Sequence, residues 1–112
     1  MRANETLTDD QGASVVANLY MSREAIRDLS RFLDRYPKVS ISDRDEYFLF
    51  ALRRIEALKS SLIPVSTDAF MESVHLSVNI LGFRECRDEM YSELAKGNIR
   101  KISELLGFER LI

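Results

Sequence analysis

The sequence predicts an all-α fold, a compact bundle of four to five helices with a long N-terminal helix. Apolar residues recur at helical spacing in every segment, and the one alternating stretch, Val39–Ile41, is too short to build a sheet. The chain has four glycines and two prolines, too few for the many tight turns of a β-sandwich or barrel. From a length of 112 residues we expect a single helical domain over residues 8–112, preceded by a flexible polar arm of residues 1–7.

A regular apolar seam predicts the first helix. Its members follow one another at alternating four- and three-residue steps, which keeps one stripe of a helix facing a partner: Val15, Leu19, Ser22, Ile26, Leu29, Leu33 and Tyr36. Thr8–Gln11 resembles a capping box, and Pro37 marks the end of the helix. A start at Ser22 is the alternative and would leave residues 13–21 as a separate helix. Because the seam keeps its phase through Ser22, we predict one helix over residues 8–36.

The second predicted helix, over residues 43–60, carries a wide apolar band. Ser42 and Asp45 mark its start. The band consists of Tyr47, Phe48, Leu49, Phe50, Ala51, Leu52, Ile55 and Leu58. A band this wide indicates burial on more than one side, either at the centre of the fold or against another chain.

Further helices are predicted in the second half of the chain. Capping residues at 66–68 and Gly82 delimit a third helix, whose predicted apolar face contains Phe70, Met71, Val74, Val78 and Leu81. A fourth helix is expected to end at Gly97 and to carry the stripe Phe83, Cys86, Met90 and Leu94. Asn98 is expected to cap a short fifth helix ending at Gly107, with the apolar residues Ile99, Ile102, Leu105 and Leu106.

The long first helix and the wide band on the second display more apolar surface than we expect one chain of this size to cover. The sequence therefore predicts a homodimer or a permanent protein partner. The candidate contact residues are Leu19, Ile26, Leu29, Leu33, Phe48, Phe50 and Leu52.

A second candidate surface is basic. Arg23, Arg27, Arg31 and Arg35 follow one another at four-residue steps on the first helix, which places successive guanidinium groups about 6 Å apart along the axis. Such a ridge is able to bind phosphates or an acidic protein surface. The alternative is an ordinary solvated face, because the first helix also carries acids three residues before two of these arginines. The formal net charge of -2 disfavours general attraction to nucleic acid or anionic lipid.

Residues 97–108, GNIRKISELLGF, resemble the first half of the helix-turn-helix of Fis-like DNA-binding domains. The resemblance implies DNA binding near Arg100 and Lys101. It covers these residues only, and the sequence ends at Ile112, so we expect no recognition helix after the turn.

Groups able to perform catalysis are scarce in this sequence. His75 is the one histidine and Cys86 the one cysteine, which is too few for an ordinary zinc site. Cys86 lies on a predicted apolar stripe, so we expect a buried, inert thiol; a Cys86–His75 pair across adjacent helices is the alternative. There is no glycine-rich phosphate loop, and we predict no cofactor and no metal.

We therefore predict a small non-catalytic regulatory or adaptor protein that acts through helical protein–protein contact, as a homodimer. The alternative is a nucleic-acid-binding transcriptional regulator that uses the basic ridge or the partial helix-turn-helix. A single cysteine and a polar, acidic start favour the cytoplasm. The longest apolar run, Tyr47–Leu52, is too short to cross a membrane.

Overall fold

The computed structural model describes residues 9–86 and 88–108. Four α-helices occupy most of these residues: α1 (Asp9–Arg35), α2 (Arg44–Leu62), α3 (Thr67–Cys86) and α4 (Glu89–Leu106). The two described stretches contain no strand, which confirms the all-α prediction. The predicted arm of residues 1–7 and the predicted cap at Thr8 lie outside the described residues.

The helices form an antiparallel bundle. Ser22, at the middle of α1, meets Ser61 near the end of α2, whereas Phe32 near the end of α1 packs on Phe48 near the start of α2. These two helices therefore run in opposite directions. Likewise Arg84, late in α3, binds Asp45, early in α2. α3 contacts α4, and α4 returns to contact α1, which closes the bundle. α1 and α3 therefore lie diagonally across from each other, each beside both α2 and α4.

The seam on α1 forms much of the core. α1 is one uninterrupted helix of 27 residues, as predicted, and its seam is buried from Ser22 onward. Phe32 and Tyr36 stack with Tyr47 of α2 at ring-centroid distances of 5.4 and 6.5 Å. Phe83 of α3 completes this aromatic cluster, 5.7 Å from Tyr36. The regular spacing of the seam lets large apolar side chains of α1 reach the other helices along most of its length.

Two short 3₁₀ helices, Tyr36–Lys38 and Ile41–Asp43, reverse the chain between α1 and α2. Pro37 lies in the first of them, where its fixed φ is tolerated. The Arg44 side chain donates to the backbone carbonyl of Val39 at 3.0 Å and so secures the reversal. α2 begins one residue later than predicted, and its cap residue Asp43 makes no side-chain hydrogen bond to the helix.

Predicted boundaries at Gly82 and Gly97 are wrong. α3 continues through Gly82, and α4 runs unbroken through Gly97 and Asn98, so two helices stand where three were expected. The break falls instead at Asp88, whose carboxylate accepts from the backbone N–H of Met90 at 2.9 Å and caps α4.

The contacts of Asn98, Gly82 and Gly107 show what these predicted cap and boundary residues do in the structure. The side chain of Asn98 accepts from Asn79 at 2.7 Å and donates to Glu72 at 2.8 Å, so it joins α3 to α4 rather than capping a helix. Gly82 lies against the ring of Tyr91, where an added Cβ would come within 2.6 Å of the ring. Gly107 does end α4 as predicted, in a left-handed conformation with φ of 79°.

A serine pair occupies the one polar position in the α1 seam. Ser22 and Ser61 are buried, and their hydroxyl oxygens lie 2.6 Å apart. Ser61 also donates to the carbonyl of Leu58 at 3.0 Å, so its single proton is committed there. Ser22 is therefore the donor to Ser61. The pair satisfies two hydroxyl groups that would otherwise destabilise the interface between α1 and α2.

This donor order predicts unequal effects for the two alanine variants. Ser61→Ala leaves the Ser22 hydroxyl buried without its acceptor and should lower the free energy of unfolding by about 1–3 kcal/mol. Ser22→Ala leaves Ser61 bound to Leu58 and should cost about 0.5–1.5 kcal/mol. In urea denaturation, the double variant should lose less stability than the two single variants combined. Simple additivity would show that the two hydroxyls do not depend on each other.

The two mid-helix glycines provide a matched comparison. Gly97→Ala meets no atom within 4 Å and should stabilise the protein by about 0.5–1 kcal/mol through helix propensity. Gly82→Ala collides with Tyr91 and should lower the melting temperature, because the ring must leave its place between α3 and α4. Thermal melting of both variants measures the difference; a gain at both positions would show that Tyr91 moves away without cost.

Candidate functional site

α3 is apolar on two opposite faces. Its inner face packs into the bundle and is buried: Ala69, Ser73, Leu76, Ile80 and Phe83. The sequence predicted burial of the opposite face, which the structure shows to be the outer one. On it Met71, Val78 and Leu81 are 47%, 59% and 43% exposed, and Val74 between them is half-buried. That prediction is wrong because the inner face has large apolar residues of its own, Leu76, Ile80 and Phe83, and the small side chains beside them let α3 approach its neighbours.

Met71, Val74, Val78 and Leu81 together are called the outer stripe below. Their spacing of three, four and three residues is the spacing of a helix that packs against another helix. Phe70, beside the stripe, packs against the core of the chain itself. Three further exposed apolar residues lie on the adjacent helix α4: Met90, Leu94 and Leu105.

Charges are excluded from the outer stripe. Between Asp68 and Arg84, the ionisable residues of α3 are Glu72 and His75. Glu72 is directed towards α4, where its carboxylate accepts a hydrogen bond from Asn98. His75 is exposed beside the stripe, and its Nδ1 lies 3.9 Å from the Glu72 carboxylate. The stripe is therefore an uninterrupted apolar surface over three helical turns.

Arg84 lies beside the C-terminal end of the stripe, on the side of α3 that faces α2. Its guanidinium lies 4.8 Å from the ring centroid of Phe48 and donates to Asp45 at 3.0 Å. The hydrogen bond to Asp45 raises the pKa of Arg84 above its ordinary value, and the charges of Asp45 and Glu85 add to this effect. These contacts hold the guanidinium against α2, and its Nη1 also lies 3.3 Å from the Glu85 carboxylate.

The contact residues predicted from the sequence have separate positions in the fold. Four of them belong to the core of the chain itself: Ile26, Leu29, Leu33 and Phe48. Their assignment to a partner interface is wrong, because neighbouring helices already cover them within a single chain. Leu19 and Leu52 are half-buried, and Phe50 is 43% exposed.

The arginine ridge on α1 does not act as one unit. Arg27 pairs with Glu24 at 3.4 Å, and Asp28 pairs with Arg54 of α2 at 3.0 Å. Arg23, Arg31 and Arg35 are exposed. Among the described residues, no carboxylate lies within 4 Å of the Arg31 or Arg35 guanidinium. Two members of the ridge are thus available to an anionic partner.

Arg31 and Arg35 lie in an open groove of about 690 Å³ between α1 and the start of α2. Phe50, a predicted contact residue, lines the same groove, so the fold brings three of the predicted residues together. Among the described residues, its lining is Asp28, Arg31, Arg35, Val39, Ser40, Asp43, Glu46, Tyr47 and Phe50. Carboxylates and guanidinium groups thus share the groove, which makes its charge mixed rather than basic. It is called the arginine groove below.

The resemblance to a helix-turn-helix does not hold in the structure. Residues 97–106 are the second half of the continuous helix α4, not a separate short helix. Ile99 and Ile102 are buried in the bundle, whereas Arg100 and Lys101 are exposed.

His75 and Cys86 do not form a catalytic pair. Both lie on α3, eleven residues apart in sequence, which separates them by about 16 Å along the helix axis. Cys86 is exposed, so the expectation of a buried thiol is wrong. In the described part of the chain, no cluster of three or more histidine, cysteine or acidic side chains is suited to hold a metal ion.

No protein-family model matches the chain, and no curated protein or solved structure is significantly similar to it. Among the described residues, no helix has both the length and the apolar character required to cross a bilayer. What the protein does must therefore be inferred from its own surface.

Proposed function

We propose that the protein is a small non-catalytic cytoplasmic regulatory or adaptor protein that acts through helical protein–protein contact, as a homodimer. The observation that carries the proposal is the outer stripe of α3. A row of apolar side chains at helix-packing spacing, free of charged residues, is the usual character of an interface rather than of a solvated face. Covering it would remove apolar surface from water, which contributes roughly 25 cal/mol for each Å² buried.

The cytoplasmic and non-catalytic parts of the proposal have their own support. The sequence contains a single cysteine, Cys86, and its thiol is exposed and unpaired, as is common in reducing compartments. The separation of His75 from Cys86 leaves neither side chain beside the other as a base or a nucleophile.

Nucleic-acid binding is the alternative function. Its support is the exposure of Arg31 and Arg35, which lie four residues apart in the arginine groove. Asp43 and Glu46 line the same groove and would repel a phosphate backbone. The protein-contact proposal is favoured because the outer stripe carries no such opposing group.

A lysine in the middle of the outer stripe tests the proposal. Val78→Lys would bury two ammonium groups in each dimer, so the dissociation constant of the dimer should rise at least about 100-fold. The matched control is Val16→Lys on α1, because Val16 is also exposed, at 66%. Sedimentation velocity over a concentration series should show a dimer for the wild type and the control and a monomer for Val78→Lys. A wild-type monomer at every concentration, or a Val78→Lys dimer of unchanged affinity, would contradict the proposal.

A charge reversal in the arginine groove tests the alternative. Arg31→Glu should leave the dimer and the melting temperature unchanged, because Arg31 is exposed and contributes to neither the core nor the outer stripe. We expect no mobility shift of DNA or RNA by the wild type at low salt. Binding that falls steeply with salt and is lost in Arg31→Glu would instead support a nucleic-acid-binding function.

A further inference from the structure

The outer stripe has the same spacing in both directions. Starting from either end, the steps are three, four and three residues, and the midpoint lies between Val74 and Val78. A two-fold contact brings the same patch from both copies together, so it requires a surface that is complementary to itself. We propose that two copies pair through this stripe with their α3 helices antiparallel and the two-fold axis at the level of Leu76. This inference rests on the proposed function.

Antiparallel pairing makes every layer of the interface apolar. Met71 of one copy faces Leu81 of the other, and Val74 faces Val78. The two-fold axis generates the same two pairs again on its other side, which gives four layers. The outer layers combine a methionine with a leucine, the inner layers combine two valines, and none contains a polar group. Such alternation of layers is how two helices interlock side chains along a seam.

The charges at the two ends of the stripe favour antiparallel over parallel pairing. Glu85 follows Leu81 by four residues and therefore continues the line of the stripe. Parallel pairing would place the two Glu85 carboxylates against each other and the two Asp68 residues at one level. Antiparallel pairing places each Glu85 at the level of Thr67 of the other copy, and it brings the Arg84 end of one helix near the Asp68 end of the other. The latter arrangement separates like charges.

The flanks of the stripe favour a second copy over a lipid surface. Helices that lie on membranes usually carry lysine or arginine along the borders of their apolar face. The α3 helix has neither between Asp68 and Arg84, and its borders carry Ser77 and His75 instead. These side chains are small or of moderate size, so they allow another helix to come close.

Cys86 provides a native probe of the arrangement. It is the only cysteine of the chain, it is exposed, and it is the last residue of α3. Because it lies ten residues beyond Leu76, antiparallel pairing separates the two Cys86 residues by about 30 Å along the helix axis. Parallel pairing leaves them about one interhelical distance apart, roughly 10 Å before the label linkers are added.

The experiment measures label-to-label distances by double electron–electron resonance on nitroxide-labelled full-length protein. One sample carries the label on Cys86. The second is a His75→Cys, Cys86→Ser variant, whose label lies one residue from the proposed axis and borders the stripe. Sedimentation of each labelled sample confirms its mass. We expect a long distance at position 86 and a short distance at position 75.

Each other outcome overturns the antiparallel arrangement in a distinguishable way. Short distances at both positions in a dimer would show parallel pairing and leave the proposed function intact. Long distances at both positions would show that the dimer uses another face. If both the labelled and the unlabelled protein stay monomeric at every concentration, this result would contradict both the antiparallel arrangement and the homodimer in the proposed function.

Discussion

Close packing of α3 through small side chains is the constraint on which the rest of the structure depends. Ala69 and Ser73 are fully buried on its inner face, and Gly82 lies directly against the ring of Tyr91 on α4. Small residues at these positions let α3 approach its neighbours closely, and Leu76, Ile80 and Phe83 fill the rest of the inner face. Because the inner face is already filled by these side chains, the outer stripe remains on the opposite face, where no element of the described chain covers it fully.

The sequence predicts α1 well and α3 poorly, for a physical reason. On α1 a single apolar phase persists for six turns beside charged residues, so periodicity identifies one buried face and even the polar Ser22 within it. On α3 both faces are apolar or small, and periodicity cannot choose between them. The prediction favoured the face with Met71, Val74, Val78 and Leu81, whereas the buried face is the one on which Leu76, Ile80 and Phe83 alternate with small residues. The near absence of charge over residues 69–83 was the signal that both faces are apolar.

The roles of the glycines also could be predicted only in part from the sequence. A glycine after an apolar run is typical of a helix end, and Gly107 fulfils that role because its φ of 79° suits a residue without a Cβ. Gly82 has the same sequence context, but it lies in close contact with Tyr91, and only the position of α4 reveals this.

Periodicity in the sequence could not predict the arginine groove either. Arg31 and Phe50 meet there because two 3₁₀ helices reverse the chain around Pro37, and the direction of that reversal is a tertiary property.

Exposed apolar residues lie partly in other places than the sequence predicted. The seam of α1 from Ser22 onward and much of the band on α2 are covered within one chain, whereas apolar side chains are exposed on α3 and α4 and also on the first half of α1 and on α2. Since α1 and α3 lie diagonally across the bundle, a second copy bound to the outer stripe, as proposed, would leave the arginine groove of each protomer facing away from the contact. The outer stripe and the arginine groove are therefore separate surfaces, and occupation of one would not require displacement of a molecule from the other.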